Sequence, residues 1–306
     1  MKKLFSILMI LSLMVLAACS SESNLENNKA EPKESMEDVT VGVSISTLNN
    51  PFFVSLKEGI EAKAKEKGMK VSVVDAQDDT AKQVSGIEDL ILKKVDLLII
   101  NPTDSAAISS AVQSANDAGI PVITVDRSAD EGEVVTFIAS DNVAGGEQAA
   151  KYIVEQLGEK AKVVELEGVS GASATRERGE GFHNIADKQL DVVSSQTAEF
   201  DRTKGLNVME NMLQGNKDIQ GVFAHNDEMA LGAIEAIKAT GKDILVVGFD
   251  GNEDALKAVE AGDLSATIAQ QPALIGEEAI TAAEKILKGE KVEETISVPL
   301  KLVTKE

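Results

Sequence analysis

The chain has 306 residues, enough for about two domains of ordinary size, and its 43% hydrophobic and 26% charged residues are a globular composition. Thirty basic and 51 acidic residues leave a formal charge of −21, which argues against a nucleic-acid partner because phosphate binding needs a basic stripe. One cysteine excludes a disulfide framework and a cysteine-based zinc site, and two histidines, His183 and His225, leave little for a metal cluster.

The chain opens like a secretory address. Lys2 and Lys3 precede an apolar run, Leu4 to Leu16, broken only by Ser6 and Ser12. A bilayer span needs about 20 such residues, so this run fits the core of a signal peptide. It ends in Leu16-Ala17-Ala18-Cys19, which resembles the bacterial lipobox. That resemblance implies removal of residues 1–18 and lipidation of Cys19, and loss of Lys2 and Lys3 takes the net charge from −21 to −23. Residues 19–38 are then a lipidated cysteine and a polar, disordered tether with an r.m.s. reach of about 25 Å. A single acyl chain anchors only marginally, so at least two are expected. The folded part is placed at the extracytoplasmic face of the cell membrane.

From Val39 onward, β-branched apolar runs alternate with helical periods. The predicted order is strand 39–46, helix 52–67, strand 70–74, helix 81–93, strand 96–100, helix 105–118, and then strands 122–125 and 134–139. It continues with helix 144–157, strand 162–166, helix 173–186, strand 192–196, helix 202–213, strand 219–224, helix 228–240, strand 244–249, helix 253–260, strand 264–269 and helix 274–287. Gly68, Gly119, Gly158 and Gly241 punctuate the helix ends. The alternation predicts an α/β fold of doubly wound parallel sheets, in two lobes of about five strands each.

Such sheets bind ligands beyond the carboxyl ends of their strands. The segments found there are 47–53 with Asn50, Phe52 and Phe53, then Asn101-Pro102-Thr103-Asp104, Asp126-Arg127, Asn226-Asp227, Asp250-Gly251 and Gln270. Any one Asn or Asp can be a helix cap, the reading preferred for Asp104, Asp141 and Asp227. Phe52 and Phe53 are equally suited to core filling at a helix start. Six strand ends of one chemical kind exceed what capping needs. Carboxylates accept from hydroxyls, amides both donate and accept, and an arginine donates in a fixed fork, which together suit a neutral polyol.

Eight segments together resemble type I periplasmic sugar-binding proteins, the solute receptors of bacterial ABC importers. They are Ser46–Phe53, Ile100–Asp104, Pro121–Arg127, Arg176–Phe182, Glu199–Arg202, His225–Ala230, Val247–Gly251 and Thr267–Gln270, in order from Val39 to the end of the chain. The resemblance implies capture of a monosaccharide, D-ribose first, by closure of two lobes about a three-segment hinge. Allose or a signalling furanose is the alternative ligand. It implies an N-terminal lobe of 39–140 plus 271–299 and a C-terminal lobe of 141–270 plus 300–306. It places Asn50, Phe52, Phe53, Asn101, Asp126 and Arg127 in the first lobe's site, and Arg178, Phe200, Asn226, Asp250 and Gln270 in the second's. Arg178 and Phe200 enter only through the resemblance, since a helix-internal arginine otherwise reads as a solvated charge. His225 departs from the family at a position beside the site. No catalytic residue, cofactor or metal is implied. The partners are the sugar, the importer's permease and the membrane that holds the anchor, with the chain a monomer.

Readings from other classes fit less well. A dinucleotide-binding dehydrogenase needs G-x-G-x-x-G after the first strand, where the chain has Thr47-Leu48-Asn49-Asn50-Pro51. A glycosidase has a formal carboxylate pair in Asp126 and Asp250. A sugar-sensing repressor would need a helix-turn-helix where the signal and tether stand. The calcium-loop pattern beginning at Asp250 fails at Ala255 and Ala261.

Overall fold

The computed structural model describes residues 32–305; the signal sequence, Cys19 and the first part of the tether lie outside the described residues. Twelve strands and nine helices are present among the described residues. The first half runs β1 (Thr40–Ile45), α1 (Pro51–Lys67), β2 (Lys70–Asp75), α2 (Thr80–Leu92), β3 (Leu97–Ile100), α3 (Ser109–Asp117), β4 (Val122–Val125) and β5 (Thr136–Ser140). Next come α4 (Asn142–Leu157), β6 (Lys162–Glu167), α5 (Ser173–Gln189), β7 (Asp191–Thr197), α6 (Arg202–Gly215), β8 (Gly221–Ala224), α7 (Asp227–Thr240), β9 (Leu245–Asp250), α8 (Glu253–Ala261) and β10 (Ala266–Ala269). The chain ends with α9 (Pro272–Leu287), β11 (Thr295–Val298) and β12 (Lys301–Thr304).

These strands form two sheets, ordered β11-β5-β4-β3-β1-β2 and β12-β10-β9-β8-β6-β7. Every pairing is parallel except β10 with β12. The fold is therefore the two-lobed α/β architecture that the alternation predicts. Both faces of each sheet are covered, which is why a strand such as Leu97-Leu98-Ile99-Ile100 is apolar throughout rather than alternating. Leu97 and Ile99 pack with α1 and α9, while Leu98 and Ile100 pack with α2 and α3. In the second sheet, Val163, Phe223 and Phe249 face α4 and α5, while Val164, Val222 and Val246 face α6, α7 and α8. Each such buried side chain contributes about 1.5–3 kcal/mol. α1 and α9 cross so closely that a Cβ on Gly59 would stand 2.2 Å from the Ala273 carbonyl oxygen.

Two expectations need correction. β11 and β12 are absent from the predicted strands: both are short, and apart from Val298 their residues are exposed or half-buried. Edge strands of this kind lack the apolar run that marks the others. The part of the tether at residues 32–38 belongs to the folded unit. Met36 is buried in the α1–α9 core, Lys33 N–H donates to the Leu287 carbonyl at 2.8 Å, and the Lys33 ammonium meets Asp96 at 2.9 Å.

Candidate functional site

The two sheets present matching strand ends. β4 and β9 are each third in their sheet's order and end at Asp126-Arg127 and Asp250-Gly251, while β3 and β8 are each fourth and end at Asn101 and His225-Asn226. A cleft with about 230 Å³ of empty space, adjoining solvent included, lies between them. It is lined by Asn50, Phe52, Phe53, Asp126 and Arg127 from the first lobe and by Ala174, Arg178, Phe200, Asn226 and Asp250 from the second. Nine of the eleven sequence-predicted residues thus meet in one cavity. A wider hollow of about 510 Å³ shares Asn50, Phe53, Arg127 and Phe200 with it and is rimmed by Asp78, Glu199, Asp201, Arg202 and Glu228.

Asn101 and Gln270 adjoin the lining through its two carboxylates. Asn101 accepts from Ser46 Oγ at 2.6 Å, donates to the Val125 carbonyl at 3.1 Å, and reaches Asp126 Oδ2 at 3.4 Å. Gln270 Nε2 donates to Asp250 Oδ1 at 2.9 Å, and its Oε1 has no partner among the described residues. Each amide orients a cleft carboxylate. Ala174 lines the cleft and carries no sequence signal.

The caps and the site use the same residues. Asn50 Oδ1 accepts from Phe52 N–H at 3.0 Å and caps α1, with Pro51 at the first helical position. Asn226 Oδ1 caps α7 through Met229 N–H at 3.0 Å, and its Nδ2 donates to the Phe200 carbonyl at 3.2 Å. Asp141 caps α4 as expected, and Asp104 accepts from Ala106 and Ala107 N–H just ahead of α3. Asp227 does not cap. Its carboxylate crosses to the β9 loop and accepts from Gly251 N–H at 2.7 Å, Asn252 N–H at 2.8 Å and Thr267 Oγ at 2.7 Å.

That brace matters because the site backbone is unusual. Asp126, Phe200 and Asp250 have φ of 62°, 61° and 120°, a region that non-glycine residues rarely enter and that costs of order 1–3 kcal/mol each. Asp126 N–H donates to the Ile138 carbonyl at 2.9 Å, and Gln270 N–H to the Asp250 carbonyl at 2.8 Å. With Asn101 and Asp227, these bonds hold both carboxylates in poses that the chain would not adopt alone.

Two acids and two bases face each other here, all 3–4% exposed. Arg127 Nε lies 3.6 Å from Asp126 Oδ2, and Arg178 Nη1 lies 3.6 Å from Asp250 Oδ1. Arg127 also donates to the Pro102 carbonyl at 3.0 Å and has its guanidinium 5.0 Å from the Phe53 ring and 5.2 Å from Phe200. Arg178 donates to Asn142 Oδ1 at 2.9 Å and to the His225 carbonyl at 2.6 Å, over the Phe249 ring at 3.9 Å. Burial raises Asp126, against the pull of Arg127, Arg178 and Asn101. It raises Asp250 further, against Arg178. Burial lowers Arg127, against Asp126. The formal charges cancel, and Arg127 Nε has no hydrogen-bond partner among the described residues.

The lobes also touch directly. Ser105 N–H donates to the Gly171 carbonyl at 2.9 Å, Ser173 N–H to Ser105 Oγ at 3.1 Å, and Ser128 N–H to Ser173 Oγ at 3.0 Å. Arg176 pairs with Asp130 at 2.8 Å. Ser105, Ser128 and Asp130 follow strands of the first sheet, while Gly171, Ser173 and Arg176 follow β6 of the second.

A family model for the periplasmic binding protein domain matches residues 41–291. The chain belongs to that family. Among its relatives is the ribose import binding protein of Bacillus subtilis (strain 168), 63% identical over 308 residues and covering 100% of both chains. The ribose import binding protein of Escherichia coli (strain K12) is 54% identical, over 87% of this chain and 91% of that relative. Among solved structures, a periplasmic solute-binding protein of an ABC transporter from Actinobacillus succinogenes 130z, with bound D-allose, aligns with a TM-score of 0.81 at 34% identity. It covers 87% of this chain and 98% of the other. Family membership accounts for the doubled architecture, in which a cleft is walled by the same strand positions from two sheets.

Proposed function

We propose that the protein captures D-ribose in the cleft between its lobes and delivers it to an ABC importer at the extracytoplasmic face. The observation that carries this reading is the convergence, from both sheets, of two acid–base pairs and three phenylalanines on one small cleft. The 230 Å³ of space, adjoining solvent included, lies below the roughly 300–1,000 Å³ of sites for drug-sized ligands, which favours a small ligand such as a monosaccharide. The balanced charges favour a neutral ligand; a phosphosugar would set its charge against Asp126 and Asp250. Identity of 54–63% to ribose import binding proteins favours ribose over allose, which the 34% identical neighbour holds.

The function is binding without chemistry. Asp126 and Asp250 accept from sugar hydroxyls, Arg127 and Arg178 donate, and Asn50 and Asn226 supply amide nitrogens left over from capping. The phenylalanine rings cover the C–H faces of the ring. Contacts from both lobes exist together only when the cleft is closed, so the sugar shifts the population toward closure. Asn101 and Gln270 act by holding the two carboxylates. The chain turns between lobes at 140–142, 269–272 and 298–301, the three strands of the hinge in this reading. Cys19, lipidated after removal of residues 1–18, tethers the monomeric receptor beside the permease; ATP hydrolysis belongs to other subunits.

Titration calorimetry with D-ribose tests this directly. The expected result is a saturable one-to-one isotherm with micromolar or tighter affinity, about 8 kcal/mol or more. Absence of saturation up to millimolar ribose, with a saturable isotherm for D-allose instead, would reassign the ligand.

A further inference from the structure

The chain's only two histidines meet on one buried carboxylate. Glu165, in β6, is fully buried. Its Oε1 accepts from His225 Nε2 at 2.9 Å, and its Oε2 accepts from His183 Nε2 at 3.0 Å and from Ser195 Oγ at 2.7 Å. Burial alone would raise Glu165, but the hydrogen bonds from His183, His225 and Ser195 outweigh it and hold the carboxyl at about 2. The bond to Glu165 in turn raises His183 to about 9, against its partial burial and with help from Asp187 at 2.7 Å. The carboxylate is therefore an anion at neutral pH, and an anion only accepts. His225 Nε2 donates to that anion, and its buried Nδ1 is left without a partner among the described residues.

A buried cluster of this kind is seldom more stable than apolar side chains of the same volume. Its neighbours show that apolar filling suits the spot, since Phe182 stacks on Phe223 at 4.9 Å and Phe223 lies 5.1 Å from the His225 ring. What the cluster adds is position. α5, which carries Arg178, lies directly on it: a Cβ on Gly179 would stand 3.5 Å from His225 Cε1 and 3.8 Å from Glu165 Oε1. The His225 carbonyl takes the Arg178 guanidinium at 2.6 Å, and the next residue is Asn226 in the cleft wall.

We propose that Glu165 is a positioning residue for the cleft: by holding the His225 ring it fixes the carbonyl that grips Arg178 and the peptide that presents Asn226. The inference rests on reading the cleft as the ribose site. Nothing in it brings Glu165 or the His225 ring into contact with sugar, so its effect passes through Arg178 and Asn226.

The test is a cycle of ribose titrations on wild type, His225→Leu, Arg178→Ala and the double variant, with thermal melts of each. The expected result is that His225→Leu weakens ribose by about tenfold, a size typical of residues coupled to a site they do not touch. In the Arg178→Ala background that loss shrinks to less than about threefold, because contacts that act through one another do not add. Glu165→Leu behaves like His225→Leu and serves if the latter does not fold. Glu165→Gln, which keeps an acceptor for His225, restores affinity to within about threefold of wild type. A merely structural role would lower the melting temperature of both leucine variants and leave their ribose affinity within about twofold of wild type, which overturns the proposal. So would losses that multiply in full in the double variant. If wild type fails to bind ribose at all, the ribose reading itself falls, and this inference with it.

Discussion

Asp126 and Asp250 present the same chemistry from opposite lobes, each at a strand's end, each on a positive-φ backbone and each beside a buried arginine. Removing one leaves its arginine short of a partner in a place with little water. Asp126→Ala is expected to cost about 2–4 kcal/mol of ribose affinity, roughly 30- to 700-fold, by calorimetry. A loss under about tenfold would place this carboxylate outside the site. The same residues set a pH dependence. Burial lifts both above the ordinary carboxylate range near 4, and a sugar hydroxyl donating to either one favours its ionised form. In the closed cleft the sugar therefore works against burial, and a proton taken up by either acid costs the sugar an acceptor. At this scale the sequence was readable where a polar residue ends a strand. It was silent where chemistry sits inside a helix, as for Arg178, or where a carboxylate reaches a distant loop, as for Asp227. Asn101 and Gln270 have the right residue types at the right strand ends. Their bonds to the two carboxylates depend on side-chain direction, which spacing does not carry.

Between residue and lobe stand the loops that join one half to the other. Gly171 is the critical position, since a Cβ there would lie 2.0 Å from Asp104 Oδ2. Asp104 is not free to swing away, because its other oxygen accepts from Ala106 and Ala107 N–H. Gly171→Val should hold the lobes apart and weaken ribose by at least about tenfold, although residue 171 does not line the cleft. Arg176→Ala removes an exposed ion pair with Asp130, worth about 0–1 kcal/mol, and an exposed hydrogen bond to the Gly171 carbonyl at 3.2 Å, and should change affinity by less than about tenfold. Near-wild-type binding by Gly171→Val would show that closure does not use this contact. Periodicity marked the buried strands well because each is a continuous apolar run between two helix layers. β11 and β12 escaped because an edge strand exposed to water needs no such run.

Across the whole molecule, one layout is used twice: six strands in matching order, a cleft wall at the third and fourth strands, and helices on both faces. The alternation along the chain shows two such lobes, but the exchange of strands between them at the end of the chain is legible only through the family resemblance. The packing of residues 32–38 on α9 came from neither source, because a short polar stretch with one methionine looks like a linker. The absence of tryptophan and the single tyrosine make intrinsic fluorescence a poor reporter of closure, so calorimetry and diffraction are the natural probes. A crystal structure of the protein grown with D-ribose is the decisive measurement. The expected result is one sugar in the cleft, bonded at once to Asp126 and Arg127 from the first lobe and to Arg178, Asn226 and Asp250 from the second. A sugar bound by residues of one lobe alone, or seated elsewhere with this cleft empty, would contradict capture between two halves.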